Sequence, residues 1–199
     1  MDTSHQNILE FAAQRGLIRS RDIREQGLPT VALTRLVRQG LLQRVGRGLY
    51  ALPDRPVSEH RALAEVAAKH PRAIICLLSA LRVHELTTQQ PFEIWLAIPN
   101  KARAPRMEYP PLRIVRFSGA ALTEGIEEHT LDGVPVRVTN VARTVADCFK
   151  FRNKIGLDVA LEALEEAWRA GKVSMDELWG FACLCRVTNV MRPYMESLA

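Results

Sequence analysis

No stretch of the chain stays apolar over the roughly 20 residues that a membrane-spanning helix needs. Residues 1–16, MDTSHQNILEFAAQRG, also lack the apolar core of a signal peptide. No membrane partner is expected, and a cytoplasmic location is the simplest expectation. Cysteine is scarce, with four in 199 residues. Cys76 and Cys148 stand in apolar surroundings and read as small core residues. Cys183 and Cys185 form a C-x-C pair, too close for a zinc knuckle and without nearby histidines, so no metal is expected. The usual catalytic signatures are missing too. There is no Gly-x-Ser-x-Gly, no glycine loop to cradle phosphate, and no glycine-serine pair followed by paired aspartates. A metal-dependent nuclease needs several acids at adjacent strand ends, and FEIWLAIPNK offers only Glu93. The chain is therefore not expected to be an enzyme, and no cofactor is expected.

What is present is a cationic chain of ordinary globular composition. Hydrophobic residues make up 47% and charged ones 25%, with a net charge of +5 that favours a polyanionic partner. The most informative stretch is Leu17 to Leu52, LIRSRDIREQGLPTVALTRLVRQGLLQRVGRGLYAL. Ser20 is an expected N-cap for a short helix over RDIREQ with Ile23 inward. Gly27-Leu28-Pro29 then stops that helix and starts the next. From Pro29 to Gln39, Leu33, Leu36 and Val37 recur at helical spacing, while Thr30, Thr34, Arg35 and Arg38 occupy the other face. Gly40 stops this helix. Leu41–Val45 and Leu49–Leu52 read as strands joined by Gly46-Arg47-Gly48. Helix, turn, helix and basic-tipped hairpin make the layout of a winged helix-turn-helix, in which the second helix enters the major groove of double-stranded DNA. Arg44 and Arg47 belong to the wing. Arg19 and Arg21, with Arg24, are expected to be solvated and near phosphates. The same elements could also pack as a subdomain with no ligand.

Residues Asn7–Arg15 place Ile8, Leu9, Phe11 and Ala12 on one side of a supporting helix. Pro53-Asp54-Arg55-Pro56 reads as a linker, giving residues 1–53 as one domain and residues 57–199 as a second. In the second, Ser58 caps a helix containing Leu63 and Val66. His60 and His70 read as solvated polar residues. Ala73–Leu78 could be a strand or the start of a helix, and Ser79–Leu86 reads as a helix. His84 and Glu85, adjacent in that helix, diverge too far to form a dyad. Phe92–Ile98 and Leu112–Phe117 read as strands. Between them lies a hairpin loop carrying Lys101, Arg103 and Arg106, which with Arg113 and Arg116 forms a candidate second basic surface for nucleic acid or an acidic protein. Asp132-Gly133 marks a further hairpin, Thr139-Asn140 caps a helix through Phe149, and two more helices follow from Gly156 and Ser174. Glu162, Glu165 and Glu166 read as a wet helix face, with metal or basic-partner binding as the rival reading. The expected class is α+β: a winged helix-turn-helix, then a small mixed or antiparallel sheet with C-terminal helices.

Several segments in this order resemble the AbiEi-family antitoxins: LPTVALTRLVRQGLLQRVGRGLYAL, LSALRVHEL, FEIWLAIP, RIVRFS and VPVRVTNVARTVADCF. The last carries an Arg-Thr pair and an Asp beyond it, here Arg143, Thr144 and Asp147. The resemblance runs over roughly residues 5–168. It implies an antitoxin of a type IV toxin–antitoxin pair, of the kind involved in abortive infection. Its N-terminal domain would repress the operon by binding inverted repeats in the promoter. Its C-terminal domain would counter a nucleotidyltransferase-like toxin, without a stable complex between the two. A stand-alone transcriptional regulator, whose C-terminal domain senses a small molecule or oligomerises, is the alternative.

Overall fold

A computed structural model describes residues 3–54 and 58–198. The elements are α1 (Thr3–Arg15), β1 (Leu17–Arg19), α2 (Ser20–Glu25), α3 (Val31–Arg38), β2 (Gln43–Gly46), β3 (Leu49–Ala51) and α4 (Arg61–Lys69). They continue as β4 (Ile74–Ile75), α5 (Leu77–Val83), β5 (Ile94–Pro99), β6 (Leu112–Phe117), β7 (Ile126–Leu131) and β8 (Val134–Thr139). Five helices complete the chain: α6 (Val141–Lys150), α7 (Arg152–Ile155), α8 (Leu157–Arg169), α9 (Met175–Cys185) and α10 (Thr188–Glu196). The class is α+β, with one three-stranded sheet ordered β1-β3-β2 and one five-stranded mixed sheet ordered β6-β5-β4-β8-β7.

The chain falls into two compact units, Met1–Pro71 with His129–Val136, and Arg72–Glu128 with Arg137–Ala199. Arg55 and Pro56 of the expected linker lie outside the described residues. In the first unit Ile8, Ala12, Ile18, Ile23, Ala32, Leu33, Leu36 and Leu42 form an apolar cluster, so α1, α2 and α3 share a core. The tip of the β7–β8 hairpin belongs to this unit: the Leu17 amide donates to the Asp132 carbonyl at 3.3 Å. Gly133 is required there. Its φ is +73°, and a Cβ would stand 1.6 Å from the Arg15 carbonyl oxygen. The second unit packs α5, α6, α8, α9 and α10 with β5 and β6 around Phe149, Leu164, Leu178 and Met191.

Four expectations are corrected. β1 was not anticipated; its three residues pair antiparallel with β3, Leu17 facing Ala51. Leu41 and Leu42 are not in a strand, because both amides donate back to the Leu36 carbonyl as the chain leaves α3. The next helix begins at Arg61 rather than at Ser58, whose hydroxyl accepts from the His60 amide at 3.1 Å. Most important, β5 and β6 are parallel, Ile94 facing Leu112 through Pro99 facing Phe117. The segment between them is a crossover, not a hairpin loop. It must travel the length of the strands before β6 begins, which is why it needs twelve residues, 100–111. Ala73–Leu78 resolves as both of its readings, the strand β4 followed by α5.

Candidate nucleic-acid interface

Helix α2 and helix α3 are set by their ends. At the exit of α2 the Leu28 amide donates to the Ile23 carbonyl and the Gly27 amide to the Arg24 carbonyl, both at 3.0 Å. This is a Schellman closure, and Gly27 takes the left-handed backbone it needs, with φ +70°. Helix α3 then starts at Val31, two residues later than Pro29, with Thr30 at its N-cap. It ends by the same closure: Leu41 donates to Leu36 and Gly40 to Val37. Ala32, Leu33 and Leu36 are buried in the core. Val31, Thr34, Arg35 and Arg38 follow the i, i+3, i+4, i+7 rule and all are exposed. They form one outward stripe about 10 Å long. Thr30 is half-buried at its edge. Arg35 and Arg38 make no ion pair among the described residues, and both stand in the last turn, where the helix dipole favours a cation.

Val31 was missed from the sequence. It is 64% exposed, an apolar branched side chain at the head of a polar stripe. The 3.6-residue spacing that picked out Thr34, Arg35 and Arg38 could have found it.

The hairpin β2–β3 carries Arg44 and Arg47, both exposed. Arg44 Nε donates to the Gly46 carbonyl at 3.2 Å, which folds that side chain along its own strand. Arg47 stands at the tip, and Gly48 beside it takes a φ of +69°. Lys69 was also missed. Its Nζ lies 3.4 Å from where a Gly46 Cβ would be, so α4 adds a third cation to the hairpin. No spacing rule links residue 69 to residue 46.

The three remaining arginines of residues 17–52 differ, and Arg24 is exposed. Arg21 is exposed and pairs with Glu25 at 3.0 Å. Arg19 is not solvated, which corrects the expectation. It, rather than Ser20, is the N-cap of α2, and its guanidinium binds Asp22 at 2.7 Å with only 19% of the side chain exposed. The Arg19 amide also donates to Asp22 Oδ2 at 2.9 Å. Burial opposes ionisation of the Asp22 carboxyl, but the hydrogen bonds and charge of Arg19 outweigh it and hold the group below its ordinary range.

In the second unit Lys101, Arg103 and Arg106 are exposed along the crossover and make no ion pair among the described residues. Arg113 pairs with Glu93 at 3.3 Å and lies 5.5 Å above the Trp95 ring. Arg116 is three residues along β6 and so on the opposite side of the strand. Its Nη1 donates to the carbonyls of Pro99, Asn100 and Ala102, at 3.2, 2.6 and 2.9 Å, and pins the start of the crossover. The five cations therefore do not form one flat patch.

The Arg-Thr and Asp motif is internal. Arg143 and Asp147 are both fully buried and paired at 2.9 Å. Arg143 also donates to the carbonyls of Glu124 and Ala121 and lies 5.0 Å above the Phe117 ring. Cys185 Sγ donates to Asp147 Oδ1 at 3.3 Å. Burial pushes the Asp147 carboxyl above its ordinary range against the pull of Arg143. Thr144 donates to the Thr139 carbonyl at 2.9 Å, and His84 Nε2 meets the same oxygen at 2.6 Å. These residues tie α6 to its surroundings. Of the acids on α8, Glu165 is exposed, Glu162 half-buried and Glu166 paired with Arg169.

Residues 6–53 match the family described as transcriptional regulator, AbiEi antitoxin. The resemblance seen in the sequence is thus shown over the segment that carries α2, α3 and the hairpin. No curated protein matches the chain. Among solved structures, the RV2827C protein from Mycobacterium tuberculosis aligns with a TM-score of 0.58 at 15% identity, over 91% of this chain and 71% of that one. At that identity the likeness is one of fold. No helix among the described residues is long and apolar enough to cross a membrane.

Proposed function

We propose that this chain, whose residues 6–53 match the family of AbiEi antitoxin transcriptional regulators, is a DNA-binding antitoxin of a type IV toxin–antitoxin pair. Residues 1–53 act as a winged helix-turn-helix that represses the chain's own operon at promoter inverted repeats. Residues 57–199 counter a nucleotidyltransferase-like toxin without a stable complex. The reading is of a binding protein, not an enzyme. The observation that carries the DNA-binding half is the outward stripe of α3, whose cations make no ion pair among the described residues.

On this reading α3 lies in the major groove of double-stranded DNA. Arg35 and Arg38 contact guanine edges or phosphates, and Thr30 and Thr34 supply hydrogen bonds or thymine-methyl contact. Val31 adds a second apolar contact for a thymine methyl. Arg44, Arg47 and Lys69 meet phosphates or the minor groove at the wing, and Arg21 meets a phosphate where α2 crosses the backbone. Arg19 acts from behind, bracing α2 through Asp22. Affinity comes from the phosphate contacts and falls with salt, while discrimination comes from the few groups that reach bases.

Gel shifts on the chain's own promoter test this. Arg35→Ala should cost about 1–3 kcal/mol and blunt discrimination between operator and unrelated duplex, whereas Arg47→Ala should weaken both alike. Full operator affinity in both variants defeats the assignment. For the antitoxin half, co-expression of the chain with a candidate nucleotidyltransferase-like toxin should restore growth, and the Arg35→Ala, Arg38→Ala double variant should still do so. Failure of the parent chain to restore growth removes the antitoxin reading and leaves a regulator.

A further inference from the structure

Among the described residues the two most exposed large apolar side chains are Phe92, at 81%, and Tyr109, at 75%. Phe92 lies two residues before β5 and Tyr109 three residues before its neighbour β6, the edge strand of the five-stranded sheet. The parallel register places Ile94 beside Leu112, and the Ile94 amide donates to the Pro111 carbonyl at 2.9 Å. Phe92 and Tyr109 therefore stand just upstream of adjacent strand starts, at the same end of β5 and β6. This juxtaposition is a product of the parallel pairing. In the hairpin expected from sequence they would not share an end.

Three further features gather on this edge. A hollow of about 220 Å³ opens beside Phe92, lined also by Leu78, Gln89, Gln90, Glu93 and Trp95. Arg113, paired with Glu93, holds its guanidinium 5.5 Å from the centroid of the Trp95 ring, so it is tied to two residues that line the hollow. The crossover that leads back to Tyr109 carries three cations, Lys101, Arg103 and Arg106, against one acid, Glu108.

We propose that the β5–β6 edge is a second nucleic-acid-binding surface and that its ligand is single-stranded. Phe92 and Tyr109 supply flat faces for unstacked bases, and the hollow with the Gln89 and Gln90 amides receives one base and its hydrogen-bonding edge. Arg113 adds a fixed guanidinium plane. Lys101, Arg103 and Arg106 track the phosphates. A duplex keeps its base faces inside the stack and offers these aromatics nothing to lie on. An acidic protein surface would satisfy the cations but leave the amide-lined hollow and the aromatic faces unused. The site is separate from α3 and does not rest on the DNA-binding reading of that helix.

The test is fluorescence anisotropy on the full chain, using a labelled single-stranded RNA of mixed sequence and about a dozen nucleotides, and the same sequence as single-stranded DNA. The promoter duplex serves as the third probe. Binding of either single strand supports the proposal, and comparison of the two tells whether the 2′-hydroxyl is read. Phe92→Ala and Tyr109→Ala should each lower single-strand affinity about tenfold and leave duplex binding unchanged. Both side chains are solvent-exposed, so neither variant should disturb folding, which circular dichroism checks. Lys101→Ala, Arg103→Ala and Arg106→Ala together should flatten the dependence of log affinity on log salt by about 2. Conversely, the Arg35→Ala, Arg38→Ala variant should lose duplex binding and keep the single strand. The proposal is overturned if the parent chain fails to bind either single strand at low salt. It is also overturned if the aromatic variants bind like the parent, if the α3 variant loses the single strand, or if polyglutamate of equal charge competes as well as the oligonucleotide.

Discussion

A guanidinium and a carboxylate withdrawn from water, as Arg143 and Asp147 are, bind one another well only because each has further partners. The net stability of such a pair is small, yet leaving one member alone is costly. Arg143→Met should therefore destabilise the protein by about 3–5 kcal/mol, and adding Asp147→Leu should recover much of that loss in urea unfolding. Full loss in the double variant would mean that the carbonyl and aromatic contacts of Arg143 matter more than its charge. The same interior protects the thiols. Burial pushes Cys76 and Cys148 well above the ordinary thiol range, and burial with the nearby Asp147 charge pushes Cys185 up to about 12. Only Cys183 is exposed. A thiol reagent such as Ellman's should titrate one group in the native chain and four in denaturant. Asp22 gives the pH dependence of the N-terminal module a definite sign. Its carboxyl is held below the ordinary value, so its contribution is full above the unfolded value of about 4 and is lost as pH falls through the lower folded one. Asp22→Asn should melt below the parent at neutral pH, with the gap closing in acid. The Arg-Thr and Asp motif was legible as a motif, but not that it is internal, because nothing in the spacing of 143, 144 and 147 distinguishes a buried network from an exposed site.

Elements defined by their own periodicity were legible, and elements defined by distant partners were not. The apolar arc of α3 lies within eight residues of chain, and its complement, the exposed stripe, follows from helical geometry alone. Strand β1 has only three residues, and its ladder partner β3 lies some thirty positions away, so no alternation could form. Parallel pairing of β5 with β6 was hidden for the same reason: two consecutive strands read as a hairpin unless the connection itself declares a crossover. Arg19 could have been found, since Arg-x-x-Asp at a helix start is the spacing of a reciprocal cap, but its cationic neighbours pointed to solvent. The sharp exit from α3 offers a test of what positions the stripe. Gly40 has φ +72° with open space around its Cα, so Gly40→Ala carries only the cost of the left-handed backbone, about 1 kcal/mol. Gly40→Asn should cost less, and thermal melts compare the two. A larger loss of operator affinity than of stability in Gly40→Ala would show that the Schellman closure also sets the direction in which Arg35 and Arg38 point.

Across the whole molecule, charge is segregated rather than spread. Residues 17–52 carry seven cations and two acids, and residues 100–116 carry five and one. The remaining chain holds fifteen cations and nineteen acids, so the net charge of +5 comes entirely from two short stretches. A uniformly cationic protein would be drawn to any polyanion over its whole surface. Here the acidic remainder repels phosphate and confines it to the two cationic stretches, an arrangement that steers a ligand as well as holding it. Duplex affinity should then depend on salt through the N-terminal stretch together with Lys69 beside its hairpin. If Arg21, Arg38, Arg44, Arg47 and Lys69 each neutralise about one phosphate, log affinity should fall against log salt with a slope of roughly −4 to −5 per bound chain. Two chains on an inverted repeat should double that slope. Replacing Lys101, Arg103 and Arg106 by alanine should leave the duplex slope where it was. A slope shallower by about 3 in that variant would instead put the duplex on the crossover, and the division of labour between the two cationic stretches would have to be given up.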